Sequence, residues 1–284
     1  MISVAAVVKS PTPFESRRID RHPIAMKSLR FPGGETHVTL AVDVPADELE
    51  VTAHLPNAEA VMTLLMATDA LRRAYPGLPI DLHLPYVPYA RQDRVANPGE
   101  ALSAKVFCDL VNAQAYRRVV IQDPHSDVVP ALLDRVVIED PLPALRRAAE
   151  SIAERTGGKA FALVAPDAGA RKRVMKLAQA LGTPVVFADK VRDTHTGTIT
   201  GTEIHGELPG CPLLVADDIC DGGRTFTELA AALSAKQHGS AMNQPLFLYV
   251  THGIFSKGLD VLLDHYAAVF TRNNWTDDAR AVLV

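Results

Sequence analysis

Short apolar runs and stretches with apolar residues three and four apart alternate along this chain. AVMTLLMATDALRRAY (60–75) has helical spacing and a basic finish, with Pro76 and Gly77 as stop signals. PIDLHLPYVPY (79–89) reads as a strand running into a loop, because Pro85 and Pro88 cannot continue a central strand. ALSAKVFCDLVNAQA (101–115) is a second helix with Ser103 near its start, and RRVVIQDPH (117–125) is a buried strand ending in a polar turn. IEDPLPALRRAAESIAERTG (138–157) opens a second domain with a helix. The same grammar then repeats. KAFALVAPDAGARKRVMKLAQALG is strand, polar loop, helix and glycine stop, and TPVVFADKVRDTHTGTITGTEIHGEL is strand, Thr/Gly-rich loop and return strand. PLLVADDICDGGRTFTELAAALSAKQHG is strand, loop and helix, and QPLFLYVTHGIF is a last strand.

This alternation predicts an α/β protein of two similar domains, 1–139 and 140–284, each a mostly parallel sheet flanked by helices. The last residues are left free to pack back on the first domain. Ligands of such sheets bind beyond the carboxyl ends of the strands. The clusters PYARQDR, QDPHS, APDAG, ADKVR, ADDICDGGRT and THG all fall just after predicted strands, on one rim of each sheet.

Composition narrows the classes. With 284 residues, nearly half of them hydrophobic, each domain can bury a core of its own. A formal net charge of −4 argues against broad nucleic-acid binding, which needs a basic face, but leaves room for a nucleotide. Cys108, Cys211 and Cys220 are odd in number and lack CxxC spacing, so a reducing, cytoplasmic setting is expected rather than a disulfide framework or a zinc site. MISVAAVVKSPTPF lacks the charged start and apolar length of a signal peptide, and no apolar run approaches a membrane span.

Chemistry concentrates in CPLLVADDICDGGRTFTELAAAL (211–233). Three carboxylates that repel one another end an apolar strand, which calls for something cationic or rich in hydroxyls. Asp217 and Asp218 are placed to accept hydrogen bonds from adjacent sugar hydroxyls or to face a metal through water. Asp221, Gly222, Gly223, Arg224 and Thr225 then bring backbone N–H groups to a helix N-terminus, a ready anion site. An acidic helix cap is the plain alternative, yet two further carboxylates exceed what capping needs.

This acidic pair, third Asp, phosphate loop and Thr resemble the phosphoribosyl-pyrophosphate motif of type I phosphoribosyltransferases and of phosphoribosyl pyrophosphate synthetases. The rest of the chain resembles the synthetases. LRFPGGETHVTL is similar to their Phe-x-Asp-Gly-Glu nucleotide loop, and MATDALRRAYPGLPIDLHLPYVPYARQDR to their helix, strand and Tyr-Ala-Arg-Gln-Asp-Arg stretch. ALSAKVF, QDPHSDVVPALLD, APDAGARKR, ADKVR and THGIFS follow in the family's order, so the likeness runs from about residue 29 to 256.

The resemblance implies two domains of the type I phosphoribosyltransferase fold. It also implies transfer of the β,γ-diphosphoryl group of ATP to the 1-hydroxyl of ribose 5-phosphate, with Mg2+. It puts Lys190 and Arg192 on a catalytic loop, where they stabilise charge at the attacked phosphorus, with Thr194 to Gly201 closing over the site. It makes His125 and Asp167 the magnesium-associated residues. Arg91, Gln92 and Asp93 would bind ATP, with Phe31 stacking on adenine and Glu35 taking a polar group. Asp217 and Asp218 would hold the ribose 2- and 3-hydroxyls, and Asp221 the approach to the phosphate loop. In this family the nucleotide loop reaches a neighbouring subunit's ATP, so a homo-oligomer is implied. Asn273 and Asn274 receive no role.

The sequence departs from the family in several places. Gly33 stands where Asp is usual. Val95, Asn97 and Gly99 occupy a stretch usually basic or given to allosteric phosphate, which speaks against phosphate activation and ADP inhibition there. The region before Phe31 is short, and residues 40–57 are compressed. The phosphate loop, usually Asp-Thr-Ala/Gly-Gly-Thr, has Gly222 for the first Thr and Arg224 for a Gly. Either Arg224 replaces the lost donor and ribose 5-phosphate remains the acceptor, or the acceptor carries a second phosphate, as ADP-ribose does, and the product serves NAD salvage. A non-catalytic regulatory homologue would have lost the cations or the acidic pair. A phosphoribosyltransferase would leave Phe31 to Glu35 and Arg91 to Asp93 without work.

Overall fold

The computed structural model describes residues 1–9, 19–192, 199–238 and 244–284, which form two compact units, Met1–Glu139 and Asp140–Val284. In the first unit β1 (Ile2–Lys9), β2 (Ile19–Ile24), β5 (Glu48–Ala53), β6 (Ile80–Leu84), β7 (Arg118–Gln122) and β8 (Val136–Glu139) make one sheet, in the order β2-β1-β5-β6-β7-β8. The strands β5 to β8 are parallel, and β1 runs antiparallel to both its neighbours. The pair β3 (Met26–Arg30) and β4 (Thr36–Leu40) forms a separate antiparallel ribbon. Three helices complete the unit: α1 (Ala58–Ala74), α2 (Ser103–Ala113) and the short α3 (Val128–Leu132).

The helix α1 shows why its segment folds as it does. Asn57 Oδ1 accepts from Ala60 N at 2.9 Å, Glu59 lies in the first turn, and Arg72 and Arg73 lie in the last, matching the helix dipole. Val61, Leu64, Ala67 and Leu71 form the buried stripe, while Met62 and Met66 stay exposed.

The second unit holds α4 (Leu142–Thr156), β9 (Ala162–Ala165), α5 (Arg171–Leu181), β10 (Val185–Arg192), β11 (Ile199–Ile204), β12 (Leu213–Cys220), α6 (Arg224–His238), β13 (Leu246–Gly253), α7 (Asp260–Leu263), β14 (Ala268–Asn274) and β15 (Ala281–Leu283). Its sheet runs β11-β10-β9-β12-β13-β14-β15, parallel except for β11. Both faces are covered. Leu214, Ala216, Phe247, Tyr249 and Phe270 pack with residues of α4 and α5, whereas Val215, Leu248 and Val250 pack with Phe226, Leu229 and Leu233 of α6. A strand buried on both faces reads as an apolar run, as from Leu246 to Val250 in β13.

Three features depart from the pattern of the sequence. Among the described residues of 1–57 there are five strands, where the periodicity gave few signals. The strands β2 and β3 are largely exposed and rich in polar residues, and Pro23 interrupts β2, so neither shows a clean apolar run. QPLFLYVTHGIF is not the last strand, since β14 and β15 follow it. The final residues form the edge strand β15, paired to β14.

Candidate functional site

The strand β12 lies at the centre of the second sheet, between β9 and β13. Its apolar run carries the chain through the core to the carboxyl rim. The two carboxylates expected just beyond it are held inside its last turns instead: Asp217 pairs with Val250 and Ile219 with His252 of β13. Asp218 is 4% exposed. Asp217 Oδ1 accepts from Asp218 N at 2.9 Å, and Arg173 Nη1, from α5, donates to Oδ1 of Asp217 at 3.2 Å and of Asp218 at 3.1 Å. Burial pushes the Asp217 carboxyl well above its usual range, the neighbouring charge of Asp218 pushes the same way, and Arg173 offsets only part of this.

Between β12 and α6 the chain turns through Asp221, Gly222 and Gly223. Gly223 has φ +80°, and a Cβ there would lie 3.2 Å from the Leu262 side chain, so only glycine fits. The first N–H groups of α6, around Arg224 and Thr225, have no acceptor within the helix. Asp221 is tied to the loop after β13, accepting from Ser256 Oγ at 2.6 Å through its side chain and from Ser256 N at 3.1 Å through its carbonyl. Arg224 is largely exposed and donates from Nε to Glu228 Oε1 at 2.6 Å.

On β10, Lys190 donates to Asp167 Oδ2 at 2.8 Å. Burial alone would raise the Asp167 carboxyl. The Lys190 ammonium and the Ala170 and Gly169 N–H groups outweigh it and hold Asp167 below its usual range. Lys190 was expected on a loop but sits in the β10–β11 ladder opposite Thr202, because the return strand β11 extends the pairing outward. Arg192 pairs with Ile199 through its backbone, after a register shift. Its side chain, and residues 194–198 of the closing segment expected between Thr194 and Gly201, lie outside the described residues. The base of the ladder is anchored by Asp189, which accepts from Arg171 at 2.5 Å and lies 2.8 Å from His205 Nε2.

In the first unit, Arg91 and Gln92 are exposed on the loop after β6. Asp93 accepts from Ser126 Oγ at 2.6 Å, joining this loop to the one after β7 that carries the exposed His125. Gln92 O accepts from Ala104 N at 3.2 Å, which fixes the loop to the start of α2. Glu100 accepts from the N–H groups of Ala96 and Asn97 at 2.8 and 3.1 Å, taking up donors that an anion would otherwise use. Phe31 and Glu35 face each other across the β3–β4 turn, where Phe31 N donates to Glu35 O at 2.8 Å and Gly34 takes φ +96°. Phe31 is 45% exposed, and a groove of about 660 Å³ opens along Phe31, Glu35, His37, Glu59, Met62 and Met66.

No three His, Cys, Asp or Glu side chains gather as a metal cage among the described residues. Mg2+ in general keeps several waters and binds through one or two carboxylates plus substrate phosphate, so it needs no such cage. The residues the sequence did not single out are Arg173, Arg171, Asp189 and Ser256. Two of them left a signal: GARKR places three cations in the first turn of α5, where the helix dipole disfavours them unless acidic groups lie opposite.

Residues 16–114 match the family model of the N-terminal domain of ribose phosphate pyrophosphokinase, and residues 138–238 match that of the phosphoribosyl transferase domain. The ribose-phosphate pyrophosphokinase of Granulibacter bethesdensis is 33% identical over 231 residues, covering 81% of this chain and 72% of its own length. That of Rhizobium meliloti is 31% identical over 231 residues, with the same coverage of 81% and 72%. The fold is shared with the phosphoribosylpyrophosphate synthetase of Mycobacterium smegmatis, with a TM-score of 0.73 and 24% identity over 87% of this chain and 80% of that one.

Proposed function

Since the chain belongs to the ribose-phosphate pyrophosphokinase family, we propose that it transfers the β,γ-diphosphoryl group of ATP to the 1-hydroxyl of ribose 5-phosphate, giving phosphoribosyl pyrophosphate and AMP. The observation that carries this reading is the end of β12, where two buried carboxylates meet a glycine loop at the N-terminus of α6. Asp217 and Asp218 accept hydrogen bonds from the ribose 2- and 3-hydroxyls, and the loop Asp221 to Thr225 receives the 5-phosphate.

In the reaction the sugar O1 attacks the β-phosphorus, the bond from that phosphorus to the α,β-bridging oxygen breaks, AMP leaves, and the hydroxyl proton passes to solvent. Little covalent work falls to the protein, so placement and charge dominate. Lys190 and Arg192 neutralise charge at the attacked phosphorus. Lys190 is kept close at hand by Asp167, from which it turns to phosphate when substrate arrives. Arg173 favours the charged form of the acidic pair and aligns it for the sugar. Arg91, Gln92 and Asp93 bind ATP, and Phe31 and Glu35 contact the adenine end. Exposure of Phe31 suits a role toward a neighbouring subunit in a homo-oligomer. Mg2+, when bound, neutralises the triphosphate, and His125 and Asp167 would hold it, in part through water. Among the described residues no helix is long and apolar enough to cross a membrane, and a cytoplasmic enzyme is the setting that goes with this chemistry.

The relatives favour ribose 5-phosphate over ADP-ribose, and Arg224, engaged by Glu228, gives the second phosphate of ADP-ribose no special partner. The test is AMP release from ATP and Mg2+ by the purified protein with each acceptor. Release should depend on ribose 5-phosphate and fall by about 10²–10³ in Lys190→Ala, the usual loss for a transition-state charge contact. Faster release with ADP-ribose would change the acceptor, and no release with either would overturn the reading.

A further inference from the structure

The loop after β13 is sewn to the phosphate loop. Ile254 N and Phe255 N both donate to Cys220 O, at 2.9 and 3.1 Å, and Ser256 binds Asp221 through both its backbone and its hydroxyl. The next residue, Lys257, is therefore delivered to Gly222. A Cβ built on Gly222 would lie 3.6 Å from Lys257 Cε, 3.7 Å from Cδ and 3.9 Å from Cγ. The methylene stem from Cγ to Cε thus runs along the open face of the glycine, with the ammonium one bond further. Arg224, Lys190 and Arg173 all spend their charge on carboxylates. Lys257 pairs with no carboxylate among the described residues.

We infer that Lys257 binds the terminal phosphate of the acceptor and that it, rather than Arg224, replaces the hydroxyl missing at Gly222. The inference rests on the proposed reaction for the identity of the acceptor. Its logic is an exchange. Where the resembling family has a Thr hydroxyl in the loop, this chain has a glycine whose bare surface seats a lysine from the neighbouring loop. A neutral donor gives way to a point charge, which binds phosphate more strongly and with greater dependence on salt.

The experiment compares the full-length protein with Lys257→Ala, a change at an exposed position. Binding of ribose 5-phosphate is followed by calorimetry without ATP, and steady-state kinetics are run alongside. The dissociation constant and KM for ribose 5-phosphate should rise ten- to a hundredfold, while KM for ATP stays within twofold. Use of unphosphorylated ribose should not change. Added Gly222→Thr should recover a good part of the loss in the Lys257→Ala background, which general damage to the loop would not allow. An unchanged ribose 5-phosphate constant overturns the inference, as does a loss that falls equally on ribose or on ATP. Tight binding of ribose 5-phosphate without AMP release would remove the proposed reaction yet still read the role of Lys257 from calorimetry. No binding of ribose 5-phosphate by the wild type removes both.

Discussion

Each unit buries carboxylates within a strand of a parallel sheet, and the two units treat them in opposite ways. In the first, Asp81 on β6 is fully buried. Arg117 grips both its oxygens, at 2.7 Å each, and Arg118 Nε adds a bond at 3.0 Å, while Arg117 also binds Glu48. Burial works to raise the Asp81 carboxyl, but the two guanidinium groups outweigh it and the net shift is downward. In the second, Asp217 and Asp218 share one arginine nitrogen, and Asp217 is left well above its usual range. Asp81 sits at the start of its strand, on the rim away from the loops that follow the strands, whereas the pair on β12 sits at the end of its strand. Around Asp81 two guanidinium groups more than offset burial, whereas around Asp217 burial and the Asp218 charge win, and donors from a sugar would favour its charged form.

Removing the satisfied carboxylate should have the largest effect. Asp81→Ala removes the hydrogen bonds of two arginines to a buried carboxylate and should destabilise the protein by about 1.5–3 kcal/mol, the range for hydrogen bonds to charged groups. Urea titration checks this, and AMP release per folded molecule should persist at low temperature. A loss under about 1 kcal/mol would mean that the network is a surface ornament, and the contrast between the rims would fall.

Breaking the poorer network should act on substrate rather than on stability. Arg173→Ala removes a cation shared by the pair and should raise KM for ribose 5-phosphate by about tenfold to a hundredfold, the range for hydrogen bonds to charged groups. Both bonds come from the single nitrogen Nη1, so Arg173→Lys should restore most of the affinity. Without Arg173 the Asp217 carboxyl titrates higher, so the acid limb of the KM profile should move to higher pH. An unmoved profile would assign Arg173 to packing alone.

Much of this contrast was legible in the sequence on one side only. The motif at 217–225 stood out because consecutive carboxylates after an apolar run conflict with burial, and conflict is visible in a string of letters. The partner that resolves it, Arg173, lies 44 residues before Asp217 and is brought near by the packing of α5 on the sheet, which periodicity does not encode. Asp81 passed unnoticed as one polar letter in IDLHL, since its arginines reach it across strand pairing. The fold class followed from the alternation of β6 to α6. Edge strands such as β2 and β15, with half their residues in solvent, gave no such signal. Lys190 was singled out as a loop residue, but its place in a ladder depends on how far β11 pairs, and register is set by the partner strand.

The smallest effect has the opposite sign. Because the folded-state pKa of Asp217 is raised, the native chain holds its proton where the unfolded chain has lost it. Stability should therefore fall as pH climbs from the ordinary carboxylate range near 4 through the higher titration of Asp217, and the full cost is present once it is ionised. Asp217→Asn keeps the shape and removes the charge, so it should stabilise the protein near neutrality by about 1 kcal/mol, on the scale of a single substitution, or roughly 2–4 °C in Tm. Below pH of about 4 the variant and the wild type should melt together. The same change should weaken ribose 5-phosphate binding, because the amide offers a donor where the sugar needs an acceptor. A variant that melts lower at neutral pH would show that Arg173 already satisfies Asp217, and the acidic end of β12 would then join Asp81 as part of the framework.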